Sequence, residues 1–380
     1  MNVPLLDLAA LHARRRTEIE SAIARVLDHQ QFILGTEVAS LEKELCAWLG
    51  VPDWRGAGTS SGTAALVLAQ RLFDIGPGDE VIVPAYSFMS TASTVALVGA
   101  TPVFADVDPG SLNLDPGGIA ALLTPATRAV IAVHLFGRAA DMPAIRAALD
   151  AAGRPEVRII EDAAQGLGAR LDGRPVGTFA DASCISFFPS KNFGAYGDGG
   201  MVFVPTEAQA AELRKLRQHG FAAKYNSEVL GYNARLDGIQ AAILRAKLPD
   251  LEAVGEERRQ NAARYRELFG RHRWPEGFSL PVDDGPGGRF HHVYNQFNLR
   301  VPRRDDLQKR LEADGIGTAI YYPRTLPGQP SLSRFAAGRA GWPNAEAATR
   351  DSLAIPIYPG LTDEQAAWVV HRIAAFYGAA

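Results

Sequence analysis

An α/β fold with a mostly parallel central sheet and a smaller C-terminal α+β domain is what this 380-residue sequence predicts. From about residue 60 to 205, short apolar strands alternate with helical stretches, the pattern of a sheet covered on both faces. After Val204 the alternation stops, and helical runs at 206–218 and about 236–269 lead to Gly270 and Trp274-Pro275, a break suited to a hinge. Beyond that break come elements fit for a small mixed domain.

Taken in order, residues 11–30 and 36–49 read as amphipathic helices, the second carrying Val38, Leu41, Leu45 and Leu49 at helical spacing. Candidate strands are Glu80–Pro84, Thr101–Ala105, Ala129–Val133, Val157–Ile160, Ala182–Ser186 and Met201–Val204. Helices are expected at 62–73 and 141–152, and one unusually long helix at about 236–269. Asp283–Gly288 is a loop by composition, Tyr294–Val301 a strand, 304–313 a helix and 362–377 the closing helix. The expected division is a large domain at 1–250, with the N-terminal helices, and a small one at 251–380.

Hydrophobic content of 47% and charged content of 21% fit an ordinary globular chain with a large core. A net charge of −3 argues against a nucleic-acid or anionic-membrane surface. Arg14-Arg15-Arg16 reads as the solvated face of a helix. Cys46 and Cys184 lie in apolar segments and suggest neither a disulfide framework nor a zinc site, so no metal is expected. Leu5-Leu6 is followed at once by Asp7, unlike a signal peptide, and no apolar run approaches the roughly 20 residues needed to cross a bilayer. The expected location is the cytoplasm.

Three features carry chemistry. Ser60-Ser61-Gly62-Thr63 opens a helix with hydroxyls, a glycine and free N–H groups, a position attractive to a phosphate dianion. A plain serine cap gives the same local pattern. Asp162 ends the strand Arg158-Ile-Ile-Glu-Asp162, where α/β proteins open their ligand crevice, although a turn carboxylate also sits there. Lys191 follows by 29 residues, in a Gly-rich turn flanked by Phe187, Phe188 and Phe193 that argue against a merely solvated lysine. An anion cradle, a carboxylate and a lysine in this chain order are what bound pyridoxal phosphate requires: a grip on its phosphate, a partner for its ring nitrogen and an amine for the Schiff base. Phe88, at the end of a strand, offers a flat ring to the pyridine face or simply packs in the core. Gln165 can reach the ring edge, and Ser186 has a hydroxyl placed for the phosphate.

With those motifs in place, the chain resembles the DegT/StrS family of sugar aminotransferases within the type I pyridoxal-phosphate fold. The resemblance covers nearly its whole length. It rests on Ser61–Leu66, Val83–Phe88, Glu161–Gln165, Ser186–Asn192 with Gly197–Gly200, and Gly231–Leu236. It implies that Ser61, Gly62, Thr63 and Ser186 hold the phosphate and that Phe88 stacks on the ring. Asp162 then pairs with the ring nitrogen, Gln165 contacts the ring, and Lys191 is both the attachment point and the catalytic acid–base. Asn233 matches an asparagine lent to the phosphate of the neighbouring subunit, which implies a homodimer with shared sites.

One segment departs from the family pattern. Tyr321-Tyr-Pro-Arg-Thr-Leu-Pro-Gly-Gln-Pro330 keeps Tyr322, Pro323, Leu326, Gln329 and Pro330, but places Tyr321 and Pro327 where histidines are usual. Arg324 there faces either a substrate anion or solvent. His134 reads as a satisfied core histidine, and His291-His292 lacks the spaced partners of a metal site. The resemblance implies amino transfer from glutamate or glutamine to a nucleotide-linked keto-sugar, feeding cell-surface polysaccharide or glycosylated metabolites. The alternatives are an aminocyclitol or antibiotic-precursor aminotransferase and a non-catalytic regulatory homologue. A dehydratase branch carries histidine at the lysine position, so Lys191 weighs against it.

Overall fold

The computed structural model describes residues 1–285, 287–338 and 341–379. Its centre is one sheet of strands β1 (Arg55–Thr59), β2 (Glu80–Pro84), β3 (Thr101–Ala105), β4 (Thr127–Val133), β5 (Arg158–Asp162), β6 (Ala182–Ser186) and β7 (Gly200–Val204), in the order β1-β7-β6-β5-β4-β2-β3. Only β7 runs against its neighbours; the other pairs are parallel. Alternate residues along these strands enter different cores, as the pleat requires. Val81, Val83, Ala129 and Ile131 face one layer, while Ile82, Val130 and Ala132 face the other.

The first layer contains helices α4 (Gly62–Leu72), α5 (Ser90–Leu97) and α7 (Glu207–Leu216). The second contains α3 (Gly35–Trp48), α6 (Met142–Ala151) and α8 (Gly238–Lys247). Before α3 in the chain come α1 (Leu8–Arg14) and α2 (Arg16–His29), and α2 packs on α8 through Ala22, Val26 and Ala242. A third core gathers α9 (Leu251–Phe269), strands β8 (Phe297–Arg300) and β9 (Ser352–Ile355), α10 (Arg304–Ala313) and α12 (Asp363–Tyr377), and includes Val3. Leu326, Leu332, Ala345 and Ala348, the last two on α11 (Pro343–Asp351), pack instead into the first sheet core. Among the described residues no helix is long and apolar enough to cross a membrane.

Several expectations change. The expected long helix at 236–269 is two helices, because Pro249 has no N–H to donate and Leu248–Asp250 tightens into a 3₁₀ turn between them. The helix expected at 11–30 breaks at Arg15, where α1 ends and α2 begins. The three arginines are a solvated face only in part: Arg14 and Arg16 are exposed and Arg15 is half-buried. Arg14 pairs with Glu257, Arg15 with Asp250 and Arg16 with Glu20, so the first two fasten the N-terminus to the start of α9. Of the expected loop at 283–288, Pro286 lies outside the described residues. Helices α5 and α11 carried no periodic signal strong enough to be anticipated.

Strand β1 was also unanticipated, since Arg-Gly-Ala-Gly-Thr has little β-propensity. Packing explains it. A Cβ on Gly56 would stand 2.9 Å from Met201 Sδ, and one on Gly58 would stand 3.0 Å from Leu236 Cδ2 and 3.2 Å from Val38 Cγ1. The strand exists because small residues let it lie under α3. Gly58→Ala therefore overpacks this contact and should lower unfolding free energy by about 1–3 kcal/mol, read as a drop in urea midpoint at constant slope.

Candidate active site

The carboxyl ends of the parallel strands converge, which is where a sheet of this kind opens its crevice. Register fixes the neighbours: Val133 pairs with Asp162, Asp162 with Cys184, and Gly200 lies between Ser186 and Thr59. After Thr59 the chain turns into α4. Ser61 Oγ accepts from Ala64 N–H at 3.1 Å as the N-cap, and its own O–H proton remains available to an anion. The N–H groups of Gly62 and Thr63 have no partner among the described residues. Thr63 Oγ1 lies 2.7 Å from Ser90 Oγ.

Two glycines build the cradle by absence of side chain. A Cβ on Gly62 would come within 2.7 Å of Ser186 Cβ, and one on Gly200 within 2.5 Å of the Ser61 carbonyl. Any larger residue would fill the space where hydroxyls and free N–H groups meet. Ser186, partly buried, contributes its Oγ 3.2 Å from that Gly62 position. Donors from a helix start, with no acidic side chain among them, suit a phosphate dianion.

Asp162 is buried at the end of β5. One carboxyl oxygen accepts from Thr91 Oγ1 at 3.0 Å and the other from Ala164 N–H at 3.2 Å; Thr91 in turn meets Ser87 Oγ at 2.9 Å. Burial raises the Asp162 pKa against those hydrogen bonds and the attraction of Lys191. Burial likewise lowers the Lys191 ammonium to about 8, while Asp162 pulls it upward. Lys191 sits in a closed loop, its N–H bonded to Phe188 O at 2.9 Å, with Ala195 N–H to Phe187 O at 2.7 Å closing the base. The Phe187 and Phe193 rings meet edge to face at 5.8 Å beneath it.

Gln165 is buried and held at both ends, with one amide proton still free among the described residues: its Oε1 accepts from Phe136 N–H at 2.7 Å and its Nε2 donates to Tyr322 Oη at 3.1 Å. Phe88 is 55% exposed, with one edge beside the Tyr322 ring at 6.1 Å, so a ring face is open to a flat ligand. Tyr321 is partly buried and lines a cavity of about 40 Å³ with Ser190, Asn295 and Gln296. Arg324 is exposed with no side-chain partner among the described residues. Asn233 is exposed as well. Its neighbour Ala234 accepts from Ser60 N–H at 3.2 Å, which runs the segment past the cradle, but the Asn233 side chain bonds none of the cradle residues. Among the described residues no cluster of His, Cys, Asp or Glu could hold a metal ion.

Sequence reasoning missed two supports, Thr91 and Tyr86. Thr91, which orients Asp162, sits in a helix that no periodicity announced. Tyr86, buried, donates its hydroxyl proton to Tyr321 O and accepts from Tyr322 N–H at 2.7 Å, holding the 321–330 segment against the end of β2. Leu326 N–H to Ala85 O at 2.8 Å adds to that clasp. His134 is a satisfied core residue: its Nδ1 accepts from Ala140 N–H, so Nε2 carries the proton toward Glu161 at 2.9 Å. Although burial opposes it, bonds from His134, Ser183 and Gly177 hold Glu161 below its ordinary value.

These residues fit pyridoxal phosphate: the glycine-built cradle matches its phosphate, the buried carboxylate its ring nitrogen, and the partly neutral amine its aldehyde. Two measurements probe the arrangement. Because folding lowers the Lys191 pKa from 10.5 to about 8, the unfolded chain binds the extra proton within that window, and stability rises with pH across it. Lys247 shares that lowering, so cofactor-free wild type should show the rise in denaturant midpoint, Lys191→Met should show a smaller one, and the difference between the two is the Lys191 contribution. Tyr86→Phe leaves Tyr322 N–H without its acceptor and should lower unfolding free energy by about 1–3 kcal/mol, measured by urea titration.

A family model described as the DegT/DnrJ/EryC1/StrS aminotransferase family matches residues 13–374. The chain is 45% identical over 365 residues to the UDP-N-acetyl-3-dehydro-alpha-D-glucosamine 3-aminotransferase of Acidithiobacillus ferrooxidans, covering 96% of this chain and 95% of that protein. It is 42% identical over 377 residues to a protein of Geobacillus stearothermophilus named pleiotropic regulatory protein, covering 99% of each. The crystal structure of S. venezuelae DesV in complex with a ketimine intermediate superposes with a TM-score of 0.93 at 38% identity, covering 100% of this chain and 99% of that one. This chain belongs to the DegT/DnrJ/EryC1/StrS aminotransferase family and is a pyridoxal-phosphate-dependent aminotransferase.

Proposed function

We propose that the protein moves an amino group from glutamate or glutamine to the keto carbon of a nucleotide-linked sugar, as a homodimer with shared sites in the cytoplasm. The observation that carries this reading is the pairing of a buried carboxylate, Asp162, with a partly neutral amine, Lys191, over the cradle that Gly62 and Gly200 keep open. The relative that acts, by its name, on a UDP-linked 3-dehydro sugar makes such a sugar the first acceptor to try.

When bound, pyridoxal phosphate supplies an aldehyde that carries the amino group and a cationic ring that stabilises negative charge on the adjacent carbon. Ser61, Gly62, Thr63 and Ser186 would hold its phosphate, Asp162 would keep its ring nitrogen protonated, and Phe88 would cover a ring face. Gln165, positioned by Phe136 N–H, would meet the ring edge and pass its orientation to Tyr322. Lys191 would anchor the group through Nζ, and with a pKa of about 8 that amine both accepts and returns a proton near neutral pH. Tyr321 and Arg324 would border the sugar, with Arg324 meeting its diphosphate or a uronate carboxylate.

For the dimer, the support is the surface around Asn233. Tyr225 is 83% and Leu230 89% exposed on the segment that precedes it, with Phe221 and Tyr232 also open to solvent. Large apolar side chains grouped this way mark an association surface. On this reading Asn233 reaches the partner's cradle.

Purified protein loaded with cofactor should be yellow and lose that colour with glutamate, and borohydride reduction should leave the cofactor on the Lys191 peptide. A panel of UDP- and dTDP-linked keto-sugars, scored by product NMR, identifies the acceptor. An adduct absent from that peptide in loaded protein would sink the reading, and colourless, inert protein would favour a regulatory role like that in the Geobacillus relative's name. Mixing inactive Lys191→Ala and Asn233→Ala chains should restore about a quarter of the wild-type sites if sites are shared. Arg324→Ala should raise sugar KM several-fold and flatten its salt dependence; an unchanged KM removes Arg324 from the substrate site.

A further inference from the structure

Helix α8 presents Gln240 and Lys247, seven residues and two turns apart, on one face. Both reach the loop that carries Lys191. Gln240 Oε1 accepts from Tyr196 N–H at 2.9 Å, and Lys247 Nζ donates to Gly194 O while lying 5.2 Å from the Tyr196 ring centre. Gly194 is itself wedged into the loop: a Cβ there would stand 2.4 Å from Pro189 O and 2.9 Å from Phe188 O. Gly197 meets Gln240 the same way, at 2.9 Å from Nε2. So two side chains of one helix grip the backbone three and five residues past Lys191, against a turn too tight to shift independently.

Lys247 is an unusual choice for a structural grip. Among the described residues it has no carboxylate within ion-pair distance, since Asp250, nearby on the same cavity wall, is taken by Arg15. Burial pulls its ammonium down to about 8. An unpaired buried ammonium is unfavourable, and a methionine-like side chain would fill the space at lower cost. What the charge adds is a strong bond to one carbonyl and attraction to one ring. The helix that bears it is rigidly mounted: Arg245 binds Glu37 at 2.7 Å and Glu44 at 2.6 Å on α3, and Ala242 packs with Ala22 and Val26 of α2.

We propose that Gln240 and Lys247 form a clamp that positions the Lys191 amine, with α8 transmitting the rigidity of α2 and α3 to the loop. The inference rests on reading Lys191 as the cofactor's anchor. Lys247 and Gln240 are positioning residues, acting through the Gly194 carbonyl and the Tyr196 amide. The side chains of α2 and α3 then serve the reaction at one remove, by holding α8.

Hydrogen exchange and steady-state kinetics on the loaded enzyme test this. In Lys247→Met, amide exchange should rise about tenfold or more within 187–197 and stay unchanged across the sheet, while kcat falls about tenfold and sugar KM moves less than threefold. Lys247→Arg, which keeps a cationic donor, should recover most of the protection and rate. Gln240→Leu should loosen the same segment through the Tyr196 amide, and it decides the matter if Lys247→Met fails to fold. Exchange that is unchanged at 187–197, or raised uniformly over the molecule, would overturn the clamp. Borohydride mapping of wild type separates this from a wrong reading of Lys191: a missing adduct there refutes the anchor and leaves the exchange result to stand as loop mechanics alone.

Discussion

Everything at this crevice depends on burying a carboxylate and an amine together without letting them neutralise one another. Burial drives Asp162 toward its protonated form and Lys191 toward its neutral one, while their mutual attraction opposes both shifts. Thr91 and the Ala164 N–H bond the charged form of Asp162, and they tilt that group back toward ionisation. A cationic ring nitrogen brought beside Asp162 would complete its ionisation, and Lys191 would then be freed of its countercharge. The pair is therefore poised for a partner of positive charge rather than for an internal ion pair.

The scaffold around that pair is joined by polar bonds between distant segments. Gln165 receives the Phe136 N–H and holds Tyr322, and Phe136 O accepts from Gln296 N–H at 3.3 Å. Val293 N–H to Gly137 O at 3.0 Å runs beside it, where a Cβ on Gly137 would stand 2.8 Å from Asn295 N. Gly137, at φ +96°, is thus required by both its conformation and the close approach. Through these contacts the segment entering β8 is registered on the same loop that positions Gln165.

Much of this was legible in the sequence, and the reason is specific. Asp162 ends a β-branched strand and Ser186 ends the next one in the sheet, and strand ends in a parallel sheet face the crevice, so the motifs pointed to Asp162, Lys191 and the Ser61 turn sharing one site. Strand β1 was not legible, because its glycines are chosen for closeness to Met201 and Leu236 rather than for strand propensity. Tyr86 looked like one more aromatic beside Phe88, yet its partners lie 235 and 236 residues away, beyond any local pattern. The helix break at Pro249 was legible in principle, but the apolar periodicity on both sides masked it.

The third core is set against Lys191 by one face of α9. Arg258 is fully buried with no carboxylate partner among the described residues, and burial lowers it to about 10. Its Nη1 donates to Tyr294 O at 3.1 Å and Ile357 O at 2.9 Å. Asn261 donates to Tyr358 O at 2.7 Å and Tyr265 to Pro356 O at 2.8 Å, so three successive helical turns bind the strand exit at 356–358. Directional bonds to backbone carbonyls define register in a way that apolar packing alone does not, which gives a physical reason for an arginine to occupy the core. The start of the same helix is held by Arg14 and Arg15 of the N-terminal segment, whose His12 meets Tyr196 Oη at 2.7 Å on the Lys191 loop. Helix α9 is thus bonded to the third core along one face and, through the N-terminal segment, to the loop that carries Lys191.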